Sequence, residues 1–296
     1  MAMDVYQIIT ERIVKQLESG TVPWRKPWSA GSQPQNLVSR RAYRGINVFL
    51  LGCQTFESPY WLTFRQAQEL KGHVRKGERA TPVVFWKILE KDDAKTGEKD
   101  SIPLLRYYSV FNAAQCELPA GTVPPNEVVT HPVNPIDECE NVVTAMPQRP
   151  EIQHSGDAAF YRPATDTVTM PPRNRFSWSA EYYSTLFHEL AHATGHPSRL
   201  NRTGITELAA FGTATYSKEE LVAEMTAAFL CGFCRIEQTT LTNSAAYIAG
   251  WLRRLQNDNR LVVHAAAAAQ KAADFILGRK ADENCQSANE FEGAAR

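Results

Sequence analysis

Within Phe187-His188-Glu189-Leu190-Ala191-His192, two histidines stand four residues apart with a glutamate directly after the first. On a helix that spacing sends both imidazoles from one face, so they can converge on a single divalent cation. Glu189 occupies the adjacent position. There it can take a proton from a water polarised by the ion without being a ligand itself, the arrangement of zinc peptidases.

Such a centre needs a third protein ligand and an open position. His196 is nearest, but Gly195 and Pro197 break the helix around it, and the longer-spaced alternative is excluded because Ser198 stands ten residues after His188. The stretch Tyr216 to Leu230 predicts a second helix, with Ser217 as N-cap and Glu220 three residues on, where a capping-box carboxylate belongs. Glu224 has no such task. It falls among Leu221, Met225, Ala227 and Ala228, where an unpaired carboxylate is costly and coordination of a cation would remove the cost. The expected ligands are therefore His188, His192 and Glu224, with Glu220 supporting them or substituting for Glu224.

Positioning these residues requires a buried helix over Tyr182 to Thr194, supplied by the apolar stripe Tyr183, Leu186, Phe187, Leu190 and Ala191 and ended at Gly195. Ala158 to Tyr161 and Thr165 to Met170 predict a strand pair turning at Asp166, and Thr167 to Met170 is a candidate edge along which an extended peptide would lie. Ile136 to Met146, Ser244 to Leu255 and the alanine-rich Leu261 to Leu277 predict further helices of the same domain.

A chain of 296 residues with 43% hydrophobic and 22% charged residues accommodates two soluble domains. It has no transmembrane run, and its start carries an acid rather than the cationic stretch of a secretory signal, which points to the cytoplasm and to no membrane partner. Six scattered cysteines form no disulfide framework, and Cys231 and Cys234 are expected as buried thiols.

The zero net charge conceals an asymmetry. Residues 1–120 hold 17 Lys and Arg against 12 Asp and Glu, and residues 12–89 hold 13 against four. In this basic front half, aromatics alternate with cations: Trp24, Arg25, Lys26 and Trp28; Arg40, Arg41, Tyr43, Arg44 and Asn47; Trp61; Arg75 and Lys76. Rings stack on bases and cations meet phosphates without demanding a particular sequence, so the pattern predicts a single-strand DNA-binding surface. An amphipathic helix over Val5 to Leu17 and strands at Pro82 to Lys87 and Leu105 to Phe111, joined by a charged tip over Asp92 to Asp100, give this half a small α+β fold. Seven prolines fall between Pro119 and Pro150. The expected organisation is residues 1–118 for DNA, a linker over 119–133, a mainly helical metal domain with a small sheet over 134–280, and a disordered tail over 281–296.

Several stretches carry a family resemblance. Trp24 to Trp28, Tyr43 to Asn47, Trp61 to Phe64, Lys76-Gly77-Glu78, Val84 to Lys87 and Val110 to Asn112 resemble the amino-terminal domain of the ArdC-like antirestriction proteins of conjugative plasmids, also found in plasmid primases of the TraC type. Asp166 to Pro171, the His188 helix through His196, and Glu219 to Glu224 resemble the zincin-like carboxy-terminal domain of the same family. The resemblance implies an α+β protein of two domains that binds single-stranded DNA, or duplex DNA, and protects incoming DNA from restriction during conjugation. It also implies an HExxH metallopeptidase fold with zinc or another divalent ion such as manganese. Two mechanisms follow: a DNA-coating protein with a structural metal site, or a DNA-recruited peptidase that cleaves a restriction-modification subunit or another DNA-bound protein.

Overall fold

The computed structural model describes residues 4–25, 33–54, 56–92, 99–125, 134–206, 214–236 and 245–279. The candidate DNA-contacting residues Lys26 and Trp28, the tip of the charged hairpin, most of the expected linker and the tail lie outside them. The described residues form two compact units. One lies within Met1–Ile9 and Ser32–Glu127, the other within Thr10–Gly31 and Val128–Ala281, so the second takes up a segment from the start of the chain.

The chain opens with helix α1 (Val5–Glu18), whose buried Ile9, Ile13 and Leu17 recur at helical spacing. In the first unit a four-stranded sheet runs β1 (Gln35–Asn36), β2 (Tyr60–Leu62), β5 (Lys99–Asn112), β4 (Thr81–Asp92), parallel between β1 and β2 and antiparallel elsewhere. Helix α2 (Ile46–Gly52) is fastened to β4 by Asn47, whose amide donates to Val84 O at 2.7 Å and accepts from Val84 N at 2.8 Å. Helix α3 (Phe64–Glu69) begins with a capping box between Thr63 and Gln66. A short pair, β3 (His73–Val74) with β6 (Cys116–Glu117), completes the unit. Its core holds Tyr43, Leu51, Trp61, Val83, Tyr108 and Val110.

The second unit begins its carboxy-terminal part with α4 (Pro135–Ala145), capped by Asn134. A three-stranded sheet follows: β7 (Glu151–His154), β8 (Phe160–Arg162) and β9 (Thr167–Met170), ordered β7-β9-β8 with β7 parallel and β8 antiparallel to β9. This corrects the expectation that Thr167 to Met170 is an edge. β9 is the middle strand, buried along its length with both flanks paired, because β7, which pairs with it from a distance in sequence, gave no alternating signal.

Helix α5 (Ser179–Ala193) packs on β8 and β9, and α7 (Ala214–Cys234) and α9 (Leu261–Ile276) pack on α5 and on each other to form the core, with the single turn α6 (Thr203–Thr206) between α5 and α7 and α8 (Ala245–Asn257) between α7 and α9 in sequence. From Leu221 to Ala228 every residue of α7 is buried, as for a helix apolar on all sides. Ala265, Ala266, Ala269, Ala272 and Ala273 give α9 a face without bulk, and there the Thr226 hydroxyl of α7 donates across to Ala269 O at 3.3 Å. Cys231 and Cys234 are buried in this core beside Cys139, and burial pushes the Cys231 thiol up to about 12. Among the described residues no helix is long and apolar enough to cross a membrane.

Candidate metal centre

Helix α5 starts with Glu181 accepting the Ser177 N–H at 2.8 Å and ends where the Gly195 and His196 amides turn back to His192 O and Ala193 O. Its apolar side, including Tyr182, Tyr183, Leu186, Phe187 and Leu190, is buried, which fixes the rotation of the helix and sends His188 and His192 together toward α7. Their Nε2 atoms stand 3.1 Å apart. From α7, Glu220 meets both: Oε2 is 3.6 Å from His188 Nε2 and Oε1 is 3.6 Å from His192 Nε2. These three residues form the group, among those described, whose ligand atoms all lie within 4.8 Å of one another.

The donor set fits a divalent ion. Zinc ligands sit about 2.0–2.2 Å from the metal, so atoms around a tetrahedral ion stand roughly 3.3 Å apart. The two Nε2 atoms stand 3.1 Å apart, close to that value, and each lies 3.6 Å from one oxygen of the Glu220 carboxylate. Two imidazole nitrogens and one carboxylate are also the ligand types of a catalytic zinc with an open position. Glu189 is buried on the same turn of α5, at 8% exposure, and its charge acts on His192.

Glu224 is placed differently from the sequence expectation. Helix α7 begins at Ala214, three residues before Ser217, so Ser217 lies inside the helix and Glu220 is released from a capping role. One turn further on, the buried Glu224 carboxylate accepts the indole N–H of Trp24 at 2.8 Å and the hydroxyl of Tyr247. These hydrogen bonds offset the cost of burying that carboxylate. The geometry thus brings Glu220 to the histidines and leaves Glu224 outside their group, the reverse of the order read from sequence. His196 pairs with the Ser198 hydroxyl at 2.7 Å and is also outside it.

Behind the three lies a layer that sequence reasoning did not find. Glu219 Oε1 is 3.6 Å from His192 Nδ1, and Arg202 donates to both Glu219 oxygens, through Nε at 3.0 Å. Burial works against charge on His192 and on Glu219 alike. It is outweighed at His192 by Glu219, Glu189 and Glu220, which raise its pKa, and at Glu219 by His192 and Arg202, which lower its pKa. Glu219 adjoins Glu220 in sequence and was within reach of inspection. Arg202 had no motif to mark it.

The expected DNA-contacting residues divide by exposure. Trp24, Tyr43, Asn47 and Trp61 are buried at 1%, 3%, 3% and 2%, so in this conformation they are structural, not stacking surfaces. Trp24 packs in the second unit, edge-on to Trp251 with ring centroids 5.8 Å apart. Arg40, Arg41, Arg75 and Lys76 are exposed and Arg44 is partly so, with Arg40 lying 5.0 Å over the Tyr60 ring and Arg75 paired with Glu78. The side chain of Arg25 is not described. Among the described residues of this unit, Phe64 and Tyr107 are exposed aromatics, neither of them among the expected DNA-contacting residues.

Comparison with known proteins matches residues 3–111 to the N-terminal domain of anti-restriction factor ArdC and residues 138–268 to the zincin-like metallopeptidase domain. The chain is 36% identical to an uncharacterized protein of Sinorhizobium fredii over 99% of its own length and 96% of the relative's. It is 36% identical to the DNA primase TraC of Escherichia coli, of which it spans only 27%. Crystal structures of the antirestriction ArdC protein of plasmid R388 superpose with a TM-score of 0.73 in both metal-free and Mn(II)-bound forms. Identity is 40% for the first, covering 93% of this chain and 97% of that one, and 37% for the second, covering 95% and 100%. Fold, sequence and the two domain matches agree: the chain is a two-domain α+β member of the ArdC antirestriction family with a zincin-like metallopeptidase domain.

Proposed function

We propose that the protein binds single-stranded DNA through its basic front unit and protects incoming plasmid DNA from restriction in the cytoplasm, with a divalent ion, zinc or manganese, held by His188, His192 and Glu220. The observation that carries the metal reading is the convergence of those three ligand atoms beside a buried Glu189. When bound, such an ion supplies Lewis-acid polarisation of a carbonyl and of water. The chain's own part is to hold two imidazoles and a carboxylate on facing helices and to offer Glu189 as the proton acceptor for an attacking water. Glu189 would then return that proton to the leaving amine. The substrate class this serves is a protein bound to the same DNA, such as a restriction-modification subunit. On the front unit, the exposed Arg40, Arg41, Arg75 and Lys76 with Phe64 and Tyr107 supply cations for phosphates and rings for bases.

The test is Glu189→Gln in the full chain, assayed for ion uptake, DNA affinity, cleavage of restriction subunits and protection of incoming DNA from restriction. Ion uptake and DNA affinity stay, the latter weakening as salt rises because phosphate contacts release counterions. Cleavage falls at least about 100-fold, the low end for loss of a general base. If the variant still protects DNA fully, protection rests on DNA binding alone and the peptidase reading is wrong.

A further inference from the structure

The metal centre rests on a buried ion pair whose geometry goes beyond what the ligands themselves require. Arg202 follows α5 by nine residues, yet its guanidinium returns to the end of that helix. It donates to Thr194 Oγ1 at 2.6 Å and to Ala191 O at 2.8 Å while its fork closes on Glu219 of α7. The side chains of Arg202 and Glu219 are only 14% and 7% exposed. Two glycines leave room for the pair. A Cβ on Gly195 would stand 3.1 Å from Arg202 Nη2 and 2.5 Å from Ile205, and one on Gly204 would stand 3.1 Å from the Glu219 Cβ and 3.2 Å from its Oε2. A buried ion pair contributes little net stability over apolar residues of the same shape, so its effect is to be sought in what it aims.

Its aim is His192. Among the described residues, the Nδ1 atom of His192 is buried without a hydrogen-bond partner, and the Glu219 carboxylate stands 3.6 Å from it. The other ring nitrogen, Nε2, faces His188 and Glu220. An imidazole can give only one nitrogen to a cation, and which one is decided by what the other nitrogen donates to. A carboxylate fixed behind Nδ1 places the proton there and leaves the Nε2 lone pair for the ion.

We propose that Glu219, clamped by Arg202, is the positioning residue for His192, setting its tautomer and ring orientation so that Nε2 ligates a divalent cation. The inference rests on the ligand reading given above. Because Arg202 grips the end of α5 and Glu219 precedes Glu220 on α7, the same pair also ties together the helices carrying the histidines and the carboxylate.

The experiment is titration of the full chain, stripped of metal, with Mn(II) and with Zn(II), for the wild type, Glu219→Gln and Arg202→Lys, alongside imidazole nitrogen NMR of the zinc-loaded wild type. Glu219→Gln keeps the volume and a hydrogen-bond acceptor but loses the charge, and is expected to bind both ions about 10- to 100-fold more weakly with an unchanged fold. Arg202→Lys loses the fork and weakens binding by a smaller factor. The spectrum should show His192 protonated at Nδ1 and metal-bound through Nε2. Equal affinities in a folded Glu219→Gln variant, or metal on Nδ1, would overturn the positioning role while leaving the metal centre standing. If Glu219→Gln does not fold, the wild-type spectrum decides. A wild type that takes up neither ion removes the centre and this inference with it.

Discussion

Trp24 shows how a residue's type can point to one task and its surroundings to another. Its indole nitrogen donates to Glu224, its ring lies against Trp251, and it is 1% exposed. Trp24→Phe should therefore destabilise the protein by about 1–3 kcal/mol, the usual cost of leaving a buried polar group less satisfied, with DNA affinity little changed. Urea unfolding and oligonucleotide binding measure the two effects. A variant of unchanged stability with sharply weakened DNA binding would restore Trp24 to the DNA surface. The contact was invisible in the sequence because its two partners are 200 residues apart. His188, Glu189 and His192 were legible for the opposite reason: four residues of helix suffice to define their geometry. The order of Glu220 and Glu224 read from sequence turns on one local detail, the first turn of α7. Ser217 followed by Glu220 mimics a capping box, but the helix has already begun at Ala214.

At the scale of elements, periodicity located the helices well. The predicted spans for α1, α4, α5, α8 and α9 agree with the structure to within about three residues, since each buries one face at helical spacing. Strand β7 was missed, and with it the central place of β9, because its parallel pairing reaches past the intervening β8 and β7 is mostly exposed. The alanine face of α9 packs closely on α7, where the Thr226 hydroxyl reaches the Ala269 carbonyl. Ala269→Leu places a branched side chain where α7 and α9 nearly touch. It should cost about 1–3 kcal/mol or more by overpacking, seen as a lowered midpoint in thermal unfolding. A midpoint equal to that of the wild type would mean the helices can separate without loss.

For the whole molecule, the basic front half holds the match to the ArdC N-terminal domain and the acidic back half the match to the zincin-like metallopeptidase. The partition of residues between units does not follow the expected boundary at 118, since the described residues of Thr10–Gly31 pack with the carboxy-terminal part. A fragment ending near residue 118 would strip Trp24 from Glu224, so the proposed DNA binding and metal binding are best compared in the full chain. The central claim concerns which residues make the metal centre, and direct titration of metal-stripped full-length protein with Mn(II) and Zn(II) tests it. One ion per chain should bind the wild type and Glu224→Gln with similar affinity, whereas Glu220→Ala should weaken binding by more than the roughly 100-fold that marks the upper range for a merely supporting residue. Full binding by Glu220→Ala with loss in Glu224→Gln, or no uptake by the wild type, would contradict it.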